Sequence, residues 1–217
     1  RSITPNRPDA PLKVKKDIVE DLDSSFYPTK PIIPYLQTIH DRATMEIFRG
    51  CIHGCRFCQA GQVYKPVRYR SKDKVLSLCR ELMKNTGYDE ISFTSLSTDD
   101  YPWLKELMEE FHKEFPHVSV SLPSLRVDAF SLELMEQLAE GKKSGLTFAA
   151  EAGTQRLRNV INKGLTEEEI LGGCSLAFQG GWDRVKLYFM LGLPTETMED
   201  VDGIARFGYR ILDTWNQ

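Results

Sequence analysis

From Ala43 onward, short apolar runs alternate with longer stretches whose apolar residues recur every three or four positions. The runs Thr44–Phe48, Glu90–Thr94, Val118–Leu122, Gly145–Ala149 and Arg184–Leu191 predict strands. The periodic stretches Lys72–Asn85, Trp103–Phe115, Leu132–Ala139, Gln155–Ile161, Glu167–Phe178 and Met198–Leu212 predict helices. Several boundaries carry the expected chemistry. Ser71 and Ser131 stand just before helical runs, and Thr166 followed by Glu169 reads as a capping box. Pro102 suits a first helical turn, and Gly164 suits a helix end that needs positive φ. Strand–helix alternation of this kind is the signature of βαβ units and a parallel sheet. Five units fit between residues 43 and 213, whereas a closed eight-unit barrel takes about 250 residues. The expected fold is therefore α/β, a partial (β/α) barrel of parallel strands that stops after about five strand–helix units.

Residues 1–42 break the pattern. Six of the eleven prolines fall in the first 34 residues, and proline fixes φ and donates no backbone hydrogen bond. This stretch is expected to be an extended arm or linker, with one or two helical turns at Lys13–Leu22, and residues 43–217 the core domain. A sixth strand is expected after Gln217. Without it the apolar run Val185–Leu191 leaves an uncovered sheet edge, which predicts either a dimer through that edge or residues 1–42 folded over it. The chain opens on Arg1 rather than Met, as an excised or processed piece would.

Composition adds exclusions. A net charge of −3, from 28 basic and 31 acidic residues, does not describe a dedicated nucleic-acid binder. No apolar run approaches the roughly 20 residues of a membrane-spanning helix, so no membrane partner is expected. There are five cysteines, an odd number with three crowded into eight residues. That fits metal binding in a reducing, cytoplasmic setting better than a disulfide framework.

The crowded three are Cys51, Cys55 and Cys58, in Cys51-Ile52-His53-Gly54-Cys55-Arg56-Phe57-Cys58 directly after the first strand. One loop with this C-x3-C-x2-C spacing can wrap one face of a cluster, and Gly50 and Gly54 give its backbone freedom. Three thiolates hold three irons of a [4Fe–4S] cube and leave the fourth open, as catalysis requires. Arg49, His53 and Arg56 would offset the cluster's negative charge. Zinc is the rival, with His53 as fourth ligand, although His53 lies inside the loop with poor reach. Cys79 and Cys174 fall within helical stretches and read as small buried hydrophobes.

Set after the first strand of a parallel α/β chain, with aromatic Phe57 before the last cysteine, this loop resembles that of the radical S-adenosylmethionine (SAM) superfamily. Asp23–Pro34, Ile47–Arg70 and Glu90–Tyr101 are similar to uncharacterised cobalamin-domain-containing members of it. The turn Gly192-Leu193-Pro194-Thr195-Glu196-Thr197 resembles that of methylthiotransferases. The resemblance implies a radical SAM enzyme of unknown substrate. Its cofactors would be a [4Fe–4S] cluster on Cys51, Cys55 and Cys58 and SAM, with cobalamin held by a domain outside this chain. The alternative, of another class, is an iron–sulfur or electron-transfer module that does no radical chemistry.

The resemblance also assigns the SAM contacts. The Phe57 backbone lies near adenine. Ser97, Thr98 and Asp99 replace a Gly-Gly-Glu-like segment and accept from the SAM ammonium; the plain reading is a helix N-terminus, where such residues are common. Ser124 contacts ribose, and Arg126 contacts the SAM carboxylate or pairs with a surface acid. Glu151, between Ala150 and Ala152 after an apolar strand, requires a partner because an unpaired buried carboxylate is costly; SAM ribose or ammonium would supply it. Lys163 meets the SAM carboxylate or simply favours a helix C-terminus. Met190, Leu191 and Gly192 cradle adenine. The partners implied are an electron donor and a substrate that is either RNA or a small molecule. Arg68, Arg70, Lys72 and Lys74 would meet RNA phosphate, although such a charge run usually reads as solvated surface.

Overall fold

A computed structural model describes residues 4–36, 38–127 and 146–215. Its parallel strands are β1 (Ala43–Glu46), β4 (Glu90–Thr94), β5 (Ser119–Ser121), β6 (Leu146–Glu151) and β7 (Val185–Phe189). They form a three-stranded sheet in the order β1-β4-β5 and a two-stranded sheet β6-β7. The helices are α1 (Gln59–Val63), α2 (Lys72–Thr86), α3 (Leu104–Glu114), α4 (Gln155–Val160), α5 (Glu167–Gln179) and α6 (Met198–Trp215). The expected helix Leu132–Ala139 lies outside the described residues.

Two of the capping signals act where they were read, and Ser131 lies outside the described residues. The Ser71 hydroxyl accepts from the Lys74 N–H at the start of α2. Thr166 and Glu169 complete the capping box of α5. Gly164 takes φ +63° as expected, but it stands past the helix end, where Ile161 is the cap and Asn162 takes φ +53°. Pro102 stands two residues before α3 begins rather than in its first turn.

Two features depart from the pattern. The run Thr44–Phe48 breaks at Ile47 into β1 and a second piece, β2 (Phe48–Arg49), which pairs antiparallel with β3 (Arg68–Tyr69). Ile47 still bridges both neighbours, since its N–H donates to Thr94 O and its carbonyl accepts from Arg70 N–H. Strands of two residues are too short to leave a period in the sequence. The second departure is at Lys13–Leu22, which contains no helical turn. The segment is extended and makes its bonds to the core instead.

Two apolar cores follow from the amphipathic elements. One gathers β1, α2, β4 and α3 around Met45, Val75, Phe93, Leu107 and Phe111. The other gathers β6, α5, β7 and α6 around Phe148, Ile170, Ala177 and Phe207. Strand β6 shows how this leaves a working face. Leu146, Phe148 and Ala150 are buried under helices, while Thr147, Ala149 and Glu151 alternate onto the other side.

Among the described residues the arm is not laid over β7, one of the two arrangements expected for that edge. Its hydrogen bonds to the core go to residues 44–90. Tyr27 Oη donates to Thr44 O and accepts from Glu46 N–H. Arg68 and Arg70, extended from β3, donate to Val19 O and Leu22 O. The Asp23 carboxylate accepts from Ser71 N–H at 2.9 Å. Leu22 is only 1% exposed. Arg70 is buried, and Lys72 pairs with Glu110, so Arg68, Arg70 and Lys72 of the basic stretch are engaged by protein partners. Because the arm closes over buried guanidinium groups, Leu22→Ala should destabilise the chain by about 2–5 kcal/mol in urea denaturation, as a core truncation does and a linker truncation does not.

Candidate functional site

The cysteine loop has no regular structure, turns at Arg56–Phe57 where Cys58 N–H donates to Cys55 O, and alternates in exposure ahead of that turn. Cys51, His53, Cys55 and Phe57 are half-buried, while Ile52, Gly54 and Arg56 are exposed. Alternation thus puts His53 on the same side as the thiols. Nothing in the loop pairs as a ladder, so it is held from outside. Gly50 has φ +102°, and a Cβ there would meet Tyr64 O and Val67 Cα at 2.9 Å; only glycine fits. At the other end Arg56 N–H donates to Ile161 O at 2.8 Å, and Asn162 Nδ2 donates to Gly54 O at 2.9 Å. Cys58 caps α1, its Sγ accepting from Gly61 N–H at 3.3 Å.

The inward residues line a cavity of about 350 Å³ with Ser97, Ser124, Arg126, Glu151, Lys163 and Tyr188 among its other walls. That volume is in the range of small-molecule sites, roughly 300–1,000 Å³. Six of the residues read from the sequence as SAM contacts therefore converge here: Phe57, Ser97, Ser124, Arg126, Glu151 and Lys163.

Glu151 is the most constrained of them. It takes φ +65° at a bulge where Ala149 pairs with Tyr188 and Glu151 with Phe189. A left-handed conformation at a non-glycine residue costs of order 1 kcal/mol, and bulges gather beside functional sites because they re-aim side chains. The expected lone carboxylate is not alone. Lys163 Nζ donates to Glu151 Oε1 at 3.1 Å, with both side chains largely buried. Two residues read separately are one ion pair.

The turn after Glu151 is fixed by contact. A Cβ on Gly153 would lie 2.4 Å from Asp200 O and Ile204 N, so strand end and α6 touch backbone to backbone. Buried Asp200 accepts from Arg156, from the Thr154 hydroxyl and from Thr197 N–H. These donors, Arg156 first, hold its carboxyl well below the usual carboxylate range.

Other candidates lie elsewhere. Thr98 is fully buried, its hydroxyl against Ser95 Oγ at 3.1 Å. Asp99 accepts from Arg126 N–H at 3.0 Å, and burial pushes its carboxyl up. Met190 shares a small apolar cluster with Phe57, Ala152, Leu157, Ile161 and Leu193, beside the cavity rather than in its wall. Leu191 is exposed, and Gly192 N–H donates to Glu196 Oε2. The two loop arginines are engaged away from the thiols: Arg49 pairs with Glu46, and Arg56 donates to Val160 O. Cavity residues that no motif marks include Thr147 and Tyr188, which arrive by strand alternation, and Val127 and Leu165.

Of the thiols, Cys51 is raised, by burial first and then by the Asp100 charge, against a lowering hydrogen bond from His53 N–H. Cys79 and Cys174 are buried in the two cores, and burial pushes both to about 12. Neither reaches the cavity, so the loop supplies three thiols without a fourth. Among the described residues no group of three or more histidine, cysteine or acidic side chains stands close enough to grip a single ion. Zinc bonds of about 2.3 Å demand that closeness, whereas an inorganic cluster spans thiols set further apart. No helix among the described residues is long and apolar enough to cross a membrane.

Comparison with known proteins agrees with this geometry. Residues 45–208 match the family model of the radical SAM superfamily. An uncharacterized protein of Methanocaldococcus jannaschii is 40% identical over 167 residues, which cover 77% of this chain and 36% of that protein. An uncharacterized methyltransferase of Pyrococcus horikoshii is 23% identical over 213 residues, 95% of this chain and 44% of that one. The chain thus spans less than half the length of these relatives. Among solved structures, the radical SAM methyltransferase TsrM from Kitasatospora setae, with cobalamin and a [4Fe–4S] cluster bound, superposes with a TM-score of 0.64 at 18% identity, covering 78% of this chain and 34% of its own. The cobalamin-dependent radical enzyme OxsB, with aqua-cobalamin and SAM bound, gives 0.61 at 14% identity, covering 76% and 26%. At these identities the superpositions establish the fold, a parallel sheet with helices.

The Asp200 network has a testable sign. A carboxyl held below its ordinary 3.8 stabilises the fold fully above that value and loses the contribution as pH falls toward its folded value. Asp200→Asn should therefore lower the melting temperature at pH 7, and the gap from the parent chain should shrink as pH drops below about 4.

Proposed function

The chain belongs to the radical SAM superfamily, and from that premise we propose that residues 43–217 are the partial (β/α) barrel core of an enzyme that cleaves SAM reductively. Residues 1–42 are a strap on that core. The carrying observation is the shared cavity: three thiols without a fourth on one wall, and the Glu151–Lys163 pair among the others. The donor set fits a [4Fe–4S] cluster bound at three irons. The buried Ser97 hydroxyl, which has no hydrogen-bond partner, fits a polar ligand beside it. A bound cluster supplies the single electron that splits SAM into methionine and a 5′-deoxyadenosyl radical.

The chain's own residues bind and orient. Cys51, Cys55 and Cys58 hold the irons, and the Gly61 N–H spreads charge from the Cys58 sulfur. Lys163 has three donors, one of them on Glu151, and offers the others to the SAM carboxylate. Glu151 and Ser97 receive the ammonium or ribose, Ser124 and Arg126 line the same cavity, and Phe57, backed by the apolar cluster that includes Met190, gives adenine an apolar wall. The methyltransferases among the relatives and the cobalamin of TsrM and OxsB support methyl transfer with a cobalamin held outside this region.

Anaerobic reconstitution of the full-length protein tests this reading. It should bind about four irons and release 5′-deoxyadenosine from SAM after reduction. Replacing any of the three cysteines by alanine should abolish both. Iron uptake without 5′-deoxyadenosine would leave an electron-transfer module instead. Lys163→Met should keep the iron while weakening SAM binding about tenfold, the loss expected for one charge-assisted hydrogen bond, read by equilibrium dialysis.

A further inference from the structure

Three buried side-chain polar atoms among the described residues lack a hydrogen-bond partner: His53 Nε2, Ser97 Oγ and Asp100 Oδ2. Buried polar atoms are almost always satisfied, and an unsatisfied one is costly. All three gather at the cysteine loop. His53 and Ser97 line the cavity. Asp100 stands behind His53, its Oδ2 only 2.8 Å from Nε2. At that distance the two groups are in contact, although they do not form a hydrogen bond in this structure.

The two partners sit on unequal supports. Asp100 ends a 3₁₀ turn, Thr98–Asp100, that is anchored on three sides. Thr98 N–H donates to Ser124 O, Asp99 takes the Arg126 N–H, and buried Tyr101 donates from Oη to Arg70 O. His53 hangs midway between Cys51 and Cys55 on a loop with no ladder of its own. A rigid carboxylate thus meets the only imidazole within the C-x3-C span.

We propose that Asp100 and His53 form a positioning pair, in which Asp100 fixes the imidazole against the cluster held by Cys51 and Cys55 and sets part of the charge that cluster feels. This rests on the radical SAM reading. The physical basis is general: cluster potentials follow net charge, hydrogen bonds to the sulfurs and solvent exposure. Groups behind the first ligands commonly change metal affinity by about 10–100-fold. A carboxylate next to the cluster opposes addition of an electron. Its neutralisation makes reduction easier, and loss of the ring leaves the middle of the loop unsupported.

The test uses the full-length protein, reconstituted anaerobically, with Asp100→Asn, His53→Ala and His53→Gln. Iron and sulfide content, the rate of cluster loss to a chelator, and the midpoint potential from an EPR-monitored redox titration are measured. Melting curves of the cluster-free chains serve as the folding control. Asp100→Asn keeps the shape and should keep the iron while its midpoint moves positive. His53→Ala should lose the cluster about tenfold faster, and His53→Gln, which restores a donor, should recover part of that loss. Parental potential in Asp100→Asn together with parental cluster retention in His53→Ala overturns the pair and leaves the radical SAM reading standing. Failure of the parent protein itself to bind iron overturns that reading, and the pair with it.

Discussion

A loop that must present three thiols in one direction cannot spend its backbone on a sheet ladder, so everything around it is arranged to hold it from outside. One end is pressed against Tyr64 and Val67 at a position only glycine can occupy. The other is tied by two hydrogen bonds to Ile161 and Asn162, more than a hundred residues away in sequence. The first tie lies within the half of the chain built on β1, and the second reaches the half built on β6. The loop is therefore one place where the two halves are joined, as Leu125 is another by packing against both apolar cores, and Phe57 and Ile161 share a small apolar cluster there.

The cavity opens between those cores because each strand has two different faces. On β6 the helix-covered face takes Leu146, Phe148 and Ala150, which leaves Thr147, Ala149 and Glu151 to the interior. Small and hydroxylated residues make room there, and the bulge with positive φ turns one carboxylate to meet Lys163. Burying that pair is no gain in stability by itself, since desolvation offsets much of the attraction. The strain at Glu151 adds to the cost. The close Gly153 contact with α6 and the Asp200 network hold the turn in place, so the rigid packing behind the site supports the unfavourable conformation within it.

The proline-rich arm illustrates how composition misleads about packing. Its backbone is irregular, as six prolines dictate, yet it supplies carbonyl acceptors for two buried arginines and a carboxylate for the N-terminus of α2. A segment without regular structure has unspent carbonyls, and buried guanidinium groups need them. The basic stretch that read as surface charge is, for Arg68 and Arg70, the arm's anchor.

The sequence by itself determined the order of strands and helices, the parallel class, the cysteine loop and its metal chemistry, since period, caps and ligand spacing are local properties. It also selected Ser97, Glu151 and Lys163 as polar residues at strand and helix ends. What it could not contain was distance between elements. That Glu151 and Lys163 are partners rather than separate ligands, that Asp100 and not Thr98 or Asp99 faces the loop, and that Tyr188 enters the cavity all depend on how β4, β6 and β7 end relative to one another. Those positions are set by a one-residue bulge, by a glycine contact and by the two-residue ribbon of β2 and β3. Each is too short to leave a period in the chain. Tertiary packing decided them, because only there do residues a hundred positions apart compete for the same few ångströms.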